Sequence, residues 1–411
     1  MNIENSAEPQ AKRQAGPLQG IKVLEVGQLL AGPFAGCILA YFGAEVIKVE
    51  PPVTGDPLRR WRQLDEEGTS YWWRSLARNK KCVTADMRTD EGRGLVRKLA
   101  EKCDVLVENF RPGVMEKWGL GPADFESSNP ALIYARISGY GQDGPYSNKP
   151  GFASVCEGFG GLRYVNGFPG ERPVRPNLSL GDSLAGLHTA LGIVMACLHG
   201  ARNPGSPGQV VDTALFEGIF NMLEGVVPEY DGAGVVREPS GSTITGIVPT
   251  NTYLCKDGKY VIIGANGDSI FKRLCEAMDR SDMAGDARIA DNAGRVEHEA
   301  EIDAIIAEWC GKQDSGSVLA ALEEARVPSG PIYSVADMMQ DPHYQARGLF
   351  EEVAVPLGKL KIPAMSPRLS ATPGSSDWAG PELGAFNLEI YGGLLGLSAS
   401  ELEQLQHQGI I

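Results

Sequence analysis

Apolar runs alternate with stretches of helical length at the start of the chain. Residues 21–26 (IKVLEV) form a β-branched apolar run, AGCILAYFGA (35–44) has the length of a helix, and AEVIKVE (44–50) is a second apolar run. Nearly continuous apolar strands are typical of a parallel sheet that is buried on both faces. The pattern therefore predicts a strand–helix–strand unit within the first fifty residues.

The same alternation continues through the first half of the chain. The further predicted strands are CVTADM (82–87), DVLVENF (104–110), ALIYARIS (131–138) and QVVDTALF (209–216). The longest predicted helix is SLAGLHTALGIVMACLHG (183–200), which lies between the last two of these strands. Regular alternation of strands and helices predicts an α/β domain with right-handed crossover connections.

The pattern changes in the second half of the chain. Glycine, proline and serine concentrate between Val227 and Pro249, and TYLCKDGKYVIIGA then predicts a hairpin that turns at Asp257-Gly258. Three predicted helices follow, which indicates a smaller α+β unit. The predicted division is a flexible arm at 1–17, a large α/β domain at 18–200, a linker at 201–226, the α+β domain at 227–330 and a C-terminal segment at 331–411.

Composition narrows the class of protein. The chain has 411 residues, 43% of them hydrophobic, so it can bury a sizeable core. Its formal net charge of −14 argues against nucleic acid as the main partner, because phosphate backbones are bound by clustered Lys and Arg. No run of eighteen apolar residues occurs, which predicts no membrane span. The arm at 1–17 lacks the apolar core of a signal peptide.

Several kinds of chemistry lack their sequence signature. Eight scattered cysteines without a CxxC pair predict a reducing, cytoplasmic setting, and five histidines without ligand spacing predict no metal site. Residues 139–144 match GxGxxG, but Pro145 and Pro150 follow where a dinucleotide-binding helix would have to begin. There is no GxSxG elbow and no Walker loop, which argues against a serine hydrolase or a P-loop enzyme.

Two features are open to a structural and a functional interpretation. Residues 59–81 contain seven basic side chains and three tryptophans, which is either a phosphate-binding patch or an ordinary charged surface. Asp182 precedes the long apolar helix and is either its N-cap or a carboxylate that the helix dipole keeps ionised and nucleophilic. Local spacing does not choose between these readings.

The chain resembles the class III CoA-transferases, the family that includes formyl-CoA transferase, carnitine CoA-transferase and α-methylacyl-CoA racemase. The resemblance covers residues 17–411 and depends on motifs that occur in the family's order. They are PLQGIKVLEVGQLLAGP, FGAEVIKVEPP with GDPLR, NKKCVTADM, DVLVENFRPG, ISGYGQDGPY, LGDSLAGLHTALGI and VPSGPIYSVADMMQDP. It implies a Rossmann-like large domain formed by both chain ends, a smaller inserted α+β domain and an interlocked homodimer.

The resemblance also implies roles for individual residues. Asp182 falls on the family's nucleophilic aspartate. The positions that fall on the family's coenzyme A contacts are Leu30, Ala31, Ala85, Arg88, Asn109, Phe110, Lys117 and Lys149. We expect the glycine-rich segment Ser240-Gly241-Ser242 on the acceptor side. The sequence departs from the family at Ala153, where members often carry an acidic residue, and at Gly384–Asn387, which replaces a Gly-Glu-His-Thr pattern.

The resemblance implies a CoA-transferase that carries CoA from an acyl-CoA donor to a carboxylic acid through a covalent aspartyl anhydride and thioester. The acceptor class is expected to be a dicarboxylate such as succinate, malate, itaconate or mesaconate, with no metal, nucleic acid or membrane as partner. Two alternatives are an acyl-CoA racemase or epimerase and a non-catalytic CoA-binding subunit. The racemase branch usually places a histidine where this chain has Phe152, which cannot accept a proton.

Overall fold

A computed structural model describes residues 16–356 and 358–411, so most of the arm predicted at 1–17 lies outside the described residues. The strands are β1 Lys22–Glu25, β2 Glu45–Glu50, β3 Lys80–Thr84, β4 Val105–Glu108, β5 Ile133–Ser138, β6 Val210–Ala214, β7 Thr250–Leu254, β8 Tyr260–Gly264, β9 Ser329–Pro331, β10 Phe350–Val355 and β11 Gly358–Pro363.

Helices occupy most of the segments between these strands. They are α1 Ala31–Tyr41, α2 Tyr71–Leu76, α3 Asp90–Ala100, α4 Val114–Lys117, α5 Ala153–Phe159, α6 Leu162–Val165, α7 Leu180–Arg202, α8 Leu215–Phe220, α9 Val226–Ala233, α10 Asp268–Ala277, α11 Ser281–Ala284, α12 Asn292–Glu297, α13 Glu299–Gly311, α14 Ser315–Glu324, α15 Val335–Gln340, α16 Pro342–Ala346 and α17 Ala399–His407. Short 3₁₀ turns and a π-helical segment at Leu388–Leu394 complete the described elements.

The described chain divides into two compact units. Unit 1 combines the described part of Met1–Gly160 with Pro176–Leu223 and Gln345–Ile411, and unit 2 combines Gly161–Arg175 with Glu224–Tyr344. The segment 201–226, which we expected to be a linker, instead contains β6 and α8 of unit 1. The glycines and prolines just before β6 form only the turn that leads into that strand.

Unit 1 is built on a six-stranded sheet in the order β3-β2-β1-β4-β5-β6, and every neighbouring pair is parallel. The prediction of an α/β fold with a parallel sheet is confirmed. This order reverses between β1 and β4, so the loops after these two strands leave the sheet side by side. In open α/β sheets such a switch point creates a crevice at the carboxyl ends of the strands, which is where ligands bind.

Both faces of the sheet are buried, as the apolar runs predicted. Leu24 of β1 packs in one cluster with Leu99 of α3, whereas Val23 packs on the opposite face with Leu39 of α1 and Ile193 of α7. Successive side chains of a strand point to opposite faces. Helices on both sides therefore bury the whole strand, and only its ends are available for a site.

Four charged side chains are nevertheless buried at the centre of unit 1. Lys48 Nζ lies 3.0 Å from Glu25 Oε1 and 3.0 Å from Asp56 Oδ2, and Lys80 Nζ lies 2.7 Å from Glu25 Oε2. All four are fully buried. Burial raises the pKa of Glu25, but the ammonium groups of Lys80 and Lys48 outweigh it and hold this pKa below its ordinary value. We call these four residues the buried charge network.

Most of the basic side chains of segment 59–81 are buried, and only Arg60 and Arg62 among the seven are exposed. Arg59 is buried and forms a two-point contact with Glu50, at 2.7 and 2.8 Å, while its guanidinium lies over the ring of Trp73. Arg74 is buried against Asp65 and Glu382. Most of the cations that the sequence brings together in this segment are thus committed to partners within unit 1.

Unit 2 contains a three-stranded antiparallel sheet in the order β7-β8-β9. Its first two strands form the predicted hairpin, in which Gly258 adopts a φ of +78°. Arg295 is fully buried and donates to the carbonyls of Val248 and Asn266 and to Asp268. This guanidinium joins the loop before the hairpin to the helical part of the unit.

Within the described residues, one helix is long and apolar enough to cross a membrane. Helix α7 reaches a mean hydropathy of 1.5 because small residues such as Gly and Ala interrupt its apolar positions without adding charge. Core helices pass the same test. In this structure Ala185, Ala190 and Ile193 of α7 are buried within unit 1.

We predict that Gly36→Ala destabilises the protein by about 1–3 kcal/mol, because overpacking a core has a free-energy cost of this size. A methyl group at Gly36 of α1 would overlap Glu25 Oε2 and disturb the buried charge network. Gly94 of α3 has no atom within 4 Å of its added Cβ and is the matched control. Gly94→Ala should stabilise the protein by about 0.5–1 kcal/mol. Thermal unfolding measures the stability of both variants. Equal melting temperatures would contradict the close contact between Gly36 and the buried charge network.

Candidate active site

The loops after β1 and β4 are joined at the switch point of the sheet. Asn109, directly after β4, accepts from the N–H of Gln28 and donates to its carbonyl, both at 2.8 Å. A Cβ at Gly27 would lie 2.6 Å from Asn109 Oδ1, so this close approach requires glycine. The side-chain amide of Asn109 therefore holds the backbone of the loop that leads into α1.

Helix α7 brings Asp182 to the same place. Gly186 lies one turn further along α7, and a Cβ there would be 2.6 Å from the carbonyl oxygen of Ala31 and 3.1 Å from the Phe34 side chain. The absence of a side chain at Gly186 lets α7 pack closely on the first turn of α1. Asp182, one turn earlier on α7, lines the same cavity as Leu30 and Ala31.

Asp182 is not the N-cap of this helix. Helix α7 begins at Leu180, with Ser179 in the capping position, and Asp182 is therefore its third residue. The N-cap interpretation of the sequence was wrong because the helix extends three residues beyond the predicted start at 183. A carboxylate in the first turn is still stabilised by the helix dipole, typically by 0.3–1 kcal/mol at exposed sites.

Helix α5 packs against the start of α7. The fully buried Glu157 accepts from the N–H of Gly181 at 3.3 Å, and a Cβ at Gly181 would lie 3.3 Å from that of Ala153. Cys156 is buried beside them, and burial, together with the charges of Asp182 and Glu157, raises the pKa of its thiol to about 11. That thiol stays protonated at neutral pH, and a protonated thiol is a poor nucleophile.

The glycine-rich loop 139–151 folds back on itself next to Asp182. A Cβ at Gly139 would lie 2.8 Å from the Cα of Gly151, so the two ends of the loop touch. Helix α5 begins only at Ala153, fourteen residues after Gly139, which agrees with the prediction that this GxGxxG match is not a dinucleotide fingerprint. Lys149, near the end of the loop, lies 3.4 Å from the ring centre of Tyr146.

These loops and helices surround a cavity of about 220 Å³ in unit 1. Six of the residues expected from the family resemblance line it together: Leu30, Ala31, Asn109, Phe110, Lys149 and Asp182. The remaining lining residues include Arg111 and Phe152 from the loops, Ser138 of β5 and Leu215 of α8. Residues as far apart in the sequence as Gln28 and Leu215 thus line one small cavity.

Three other expected residues lie elsewhere in unit 1. Ala85 is buried at the end of β3, and Arg88 is exposed and pairs with Asp86 at 2.8 Å. Lys117 is exposed on α4. None of the three lines the cavity, so any contact with a ligand there would involve a part of the ligand that extends outside it.

The expected acceptor segment belongs to unit 2. Gly241 has a φ of +72° and packs against the ring of Phe168. Ser240 Oγ donates to the carbonyl of Thr243 at 2.8 Å, and Ser242 Oγ donates to Asn251 at 2.5 Å. The segment forms a compact turn whose hydroxyl groups are occupied within unit 2.

A buried ionisable group supports the loop after β4. Burial raises the pKa of Glu108 to about 7, although Arg136 donates to it at 2.8 Å and opposes the shift. The other carboxylate oxygen accepts from the N–H of Phe110 at 2.7 Å. Glu108 therefore holds the backbone of a cavity residue.

Sequence reasoning missed several residues that support unit 1, among them Gly186 of α7 and Asn387 near the end of β3. Gly186 has no side chain that a motif could point to, and only the close packing of α7 on α1 shows why a glycine is needed there. Asn387, in the segment that departs from the family pattern, accepts from the N–H of Thr84 at 2.9 Å and donates to its hydroxyl at 2.8 Å. That amide holds the end of β3, next to Ala85, and its spacing in sequence gave no signal of this role.

Comparisons with known proteins agree with this geometry. Residues 18–387 match the family described as CoA-transferase family III. The chain belongs to this family. It is 46% identical to succinyl-CoA–D-citramalate CoA-transferase of Chloroflexus aurantiacus, over 98% of this chain and all of that protein. It is 42% identical to the alpha subunit of succinyl-CoA–L-malate CoA-transferase of the same organism, over 96% of this chain and 92% of that subunit.

A solved structure supports the fold assignment of this CoA-transferase family member. A CaiB/BaiF family protein from Brucella suis superposes with a TM-score of 0.83 at 34% sequence identity. The alignment covers 93% of this chain and the whole of that one. Within the described residues, no group of three or more His, Cys, Asp or Glu side chains is placed to hold a metal ion.

We predict that Gly186→Ala moves α7 away from α1, which should destabilise the protein by about 1–3 kcal/mol and weaken CoA binding at least several-fold. Gly200 lies on the same helix with nothing within 4 Å of its added Cβ, so Gly200→Ala is the control and should leave CoA affinity unchanged. Thermal unfolding and calorimetric titration with CoA measure the two effects. Equal CoA affinity in the two variants would show that the helix contact does not shape the cavity.

Proposed function

We propose that this protein transfers CoA from an acyl-CoA to a dicarboxylic acid, with Asp182 as the covalent nucleophile. The observation that carries the proposal is the position of Asp182 in the first turn of α7, where it lines a cavity together with Leu30, Ala31 and Asn109. The family resemblance assigns CoA contacts to those three residues. A nucleophile beside a thioester-binding wall is what acyl transfer requires.

In the first half of the reaction, a carboxylate oxygen of Asp182 attacks the carbonyl carbon of the donor thioester. The C–S bond breaks, CoA leaves as the thiolate, and a mixed anhydride links the donor acyl group to Asp182. The thiolate then attacks the carbonyl carbon of Asp182 in this anhydride. The donor leaves as its free carboxylate, and CoA is held as an aspartyl thioester.

The second half reverses these steps with a different acid. The acceptor carboxylate attacks the aspartyl thioester, which releases CoA thiolate and forms a new mixed anhydride. The thiolate then attacks the acceptor's acyl carbon, which gives the product thioester and regenerates the Asp182 carboxylate. Each step exchanges one activated acyl group for another, so no external energy source is consumed. Negative charge develops on a carbonyl oxygen at each stage, where one N–H donor can contribute about 2.7–4 kcal/mol.

Succinyl-CoA is the proposed donor and a four- or five-carbon dicarboxylate the proposed acceptor. The support is the pair of relatives that are named for succinyl-CoA with D-citramalate and with L-malate. Arg111 and Lys149 line the cavity and offer positive charge to an anionic substrate. The segment Ser240–Ser242 is proposed to contact the acceptor, and Ala85, Arg88 and Lys117 the nucleotide end of CoA.

A racemase is a weaker explanation of the same cavity. Racemisation at the α-carbon requires a base and an acid near the substrate, and histidine is not among the lining residues. His188 lies on α7, but its Nδ1 is 2.8 Å from the carbonyl oxygen of Leu184. A purely CoA-binding subunit would have no need of a carboxylate in the cavity.

We further propose a cytoplasmic homodimer in which two chains are threaded through each other. Helix α7 presents an apolar stripe whose side chains are 38–58% exposed: Leu187, Leu191, Val194, Met195 and Leu198. Such a stripe on one unit of a globular protein is typical of a buried subunit interface. One relative is named as an alpha subunit, so a hetero-oligomer is the alternative to a homodimer. The assembly experiment must distinguish between the two.

The purified protein should transfer CoA from succinyl-CoA to at least one of citramalate, malate, itaconate, mesaconate and glutarate. Asp182→Asn should retain a stability within about 1 kcal/mol of wild type, since the amide keeps the shape of the side chain and the interaction of a carboxylate with a helix dipole is of this size. It should lose at least a thousandfold in kcat, because the neutral amide is a poor nucleophile. Liquid chromatography with mass spectrometry of the acyl-CoA products measures the rates.

Hydroxylamine provides the control for covalent catalysis. It should inactivate the wild-type enzyme only after succinyl-CoA is added, leaving a hydroxamate on the peptide that contains Asp182. The Asp182→Asn protein must be assayed fresh because deamidation regenerates aspartate. A fresh variant that retains a tenth of the wild-type rate would disprove the mechanism, and a wild type inactive with every acid of the panel would disprove the proposed substrate class.

The dimer should not exchange subunits under native conditions. Tagged and untagged protein mixed for days should give no mixed dimers by native mass spectrometry, whereas unfolding and refolding together should give them. Leu191→Lys with Met195→Lys should prevent assembly, and Val53→Lys, at a side chain that is 86% exposed outside the stripe, should not. A stable monomer or rapid mixing of wild-type chains would contradict the threaded homodimer.

A further inference from the structure

The loop between β1 and α1 contains a residue in an unfavourable backbone conformation. Leu29 has a φ of +65°, in the left-handed region. This region costs a non-glycine residue about 1–2 kcal/mol. Leu30 and Ala31 follow directly, and all three line the cavity that contains Asp182. Something must hold Leu29 in place against the preference of its own backbone.

Buried or half-buried side chains from three different parts of the chain bind the backbone of this loop. Lys48 of β2 donates to the carbonyl of Gly27 at 2.7 Å. Asn109 binds both the N–H and the carbonyl of Gln28. Asp56 accepts from the N–H of Leu29, at 3.1 Å to each of its carboxylate oxygens. Asp56 is thus the side chain that contacts the strained residue itself.

Asp56 is in turn held firmly by its surroundings. It is fully buried, and its Oδ2 lies 3.0 Å from Lys48 Nζ. Its Oδ1 accepts from the N–H of Leu58 at 2.9 Å, and its own N–H donates to Glu50 at 2.9 Å. A carboxylate with this many fixed partners has little freedom to move. The buried charge network therefore extends through one side chain to the backbone of the cavity wall.

We infer that Asp56 is a positioning residue for CoA transfer. It holds Leu29 in the left-handed conformation and so sets where the backbone of Leu30 and Ala31 stands relative to Asp182. This role rests on the proposed function. It differs from a general contribution to stability, because it predicts an effect on CoA binding that follows the conformation of Leu29 and not the stability of the fold.

The test compares Asp56→Asn with Asp65→Asn. Asp65 also accepts backbone N–H groups, from Glu67 and Thr69, and pairs with an arginine, Arg74, but it does not line the cavity. Asp56→Asn should weaken CoA binding at least tenfold and raise KM for acyl-CoA more than it lowers kcat. It should also accelerate hydrogen exchange at the amide of Leu29. Asp65→Asn should lower the melting temperature and leave CoA affinity and Leu29 exchange unchanged.

A second substitution separates conformation from charge. Glycine adopts positive φ without steric cost, so adding Leu29→Gly to Asp56→Asn should recover a large part of the lost CoA affinity. Valine is β-branched and disfavours positive φ, so Leu29→Val alone should weaken CoA binding with the charge network intact. If Asp56→Asn does not fold, the Leu29→Val result decides the question.

Four outcomes would overturn the inference. They are unchanged CoA affinity in folded Asp56→Asn, unchanged exchange at Leu29, no recovery in the double variant, or unchanged affinity in Leu29→Val. Failure of the proposed function gives a different result, since wild-type protein would then transfer no CoA, whether or not it binds CoA. In that case the exchange rate at Leu29 still shows whether Asp56 holds the loop.

Discussion

Complete pairing of the charges buried inside unit 1 is the constraint on which the rest of that unit depends. An unpaired buried charge destabilises a fold by several kcal/mol, whereas a paired and hydrogen-bonded set is tolerated. Glu25 and Lys48 face each other in the register of β1 and β2, so sliding either strand by one residue would separate them. Lys80 joins the same carboxylate and also donates to the carbonyl of Pro33 in α1. The network thereby fixes both the register of the sheet and the approach of the first helix.

The cavity exists because several elements approach each other more closely than side chains usually allow. Gly27, Gly181 and Gly186 each lie where a Cβ would meet a neighbouring backbone or side-chain atom at 3.3 Å or less. Together they let the loop after β1, the start of α7 and helix α5 converge on one space at the switch point of the sheet. The shape of this cavity therefore depends on three glycines, which have no side chain of their own to take part in catalysis.

The charges around the cavity suit a reaction that proceeds through anionic oxygens. The carboxylate of Asp182 lies in the first turn of a 23-residue helix, whose dipole favours negative charge there. The cations Arg111 and Lys149 line the same cavity, in a protein whose overall charge is strongly negative. A local excess of positive charge in a negative chain attracts anionic substrates to this cavity in particular.

The sequence by itself determined the α/β class, the strands of the parallel sheet and, through its motifs, the family. The class and the strands follow from the periodicity of apolar residues that are close in sequence. The family follows from the order of short motifs along the chain. Several of the residues expected near CoA, among them Asp182 and Asn109, were also named in advance. Their meeting in one cavity was not derivable from spacing, because it depends on the switch point between β1 and β4.

Only the tertiary structure decided how the individual groups are used. The arginines of segment 59–81 resembled a phosphate patch in sequence, yet Arg59 is buried against Glu50 on β2 and Arg74 against Glu382, which is 308 positions away. Asp182 resembled a cap, yet the helix begins before it. The hold of Asp56 on Leu29 spans 27 positions, and that of Asn109 on Gln28 spans 81. The burial of charged side chains, their ion pairs and the strain at Leu29 all depend on contacts between remote parts of the chain. The pattern of residues along the sequence does not show these contacts.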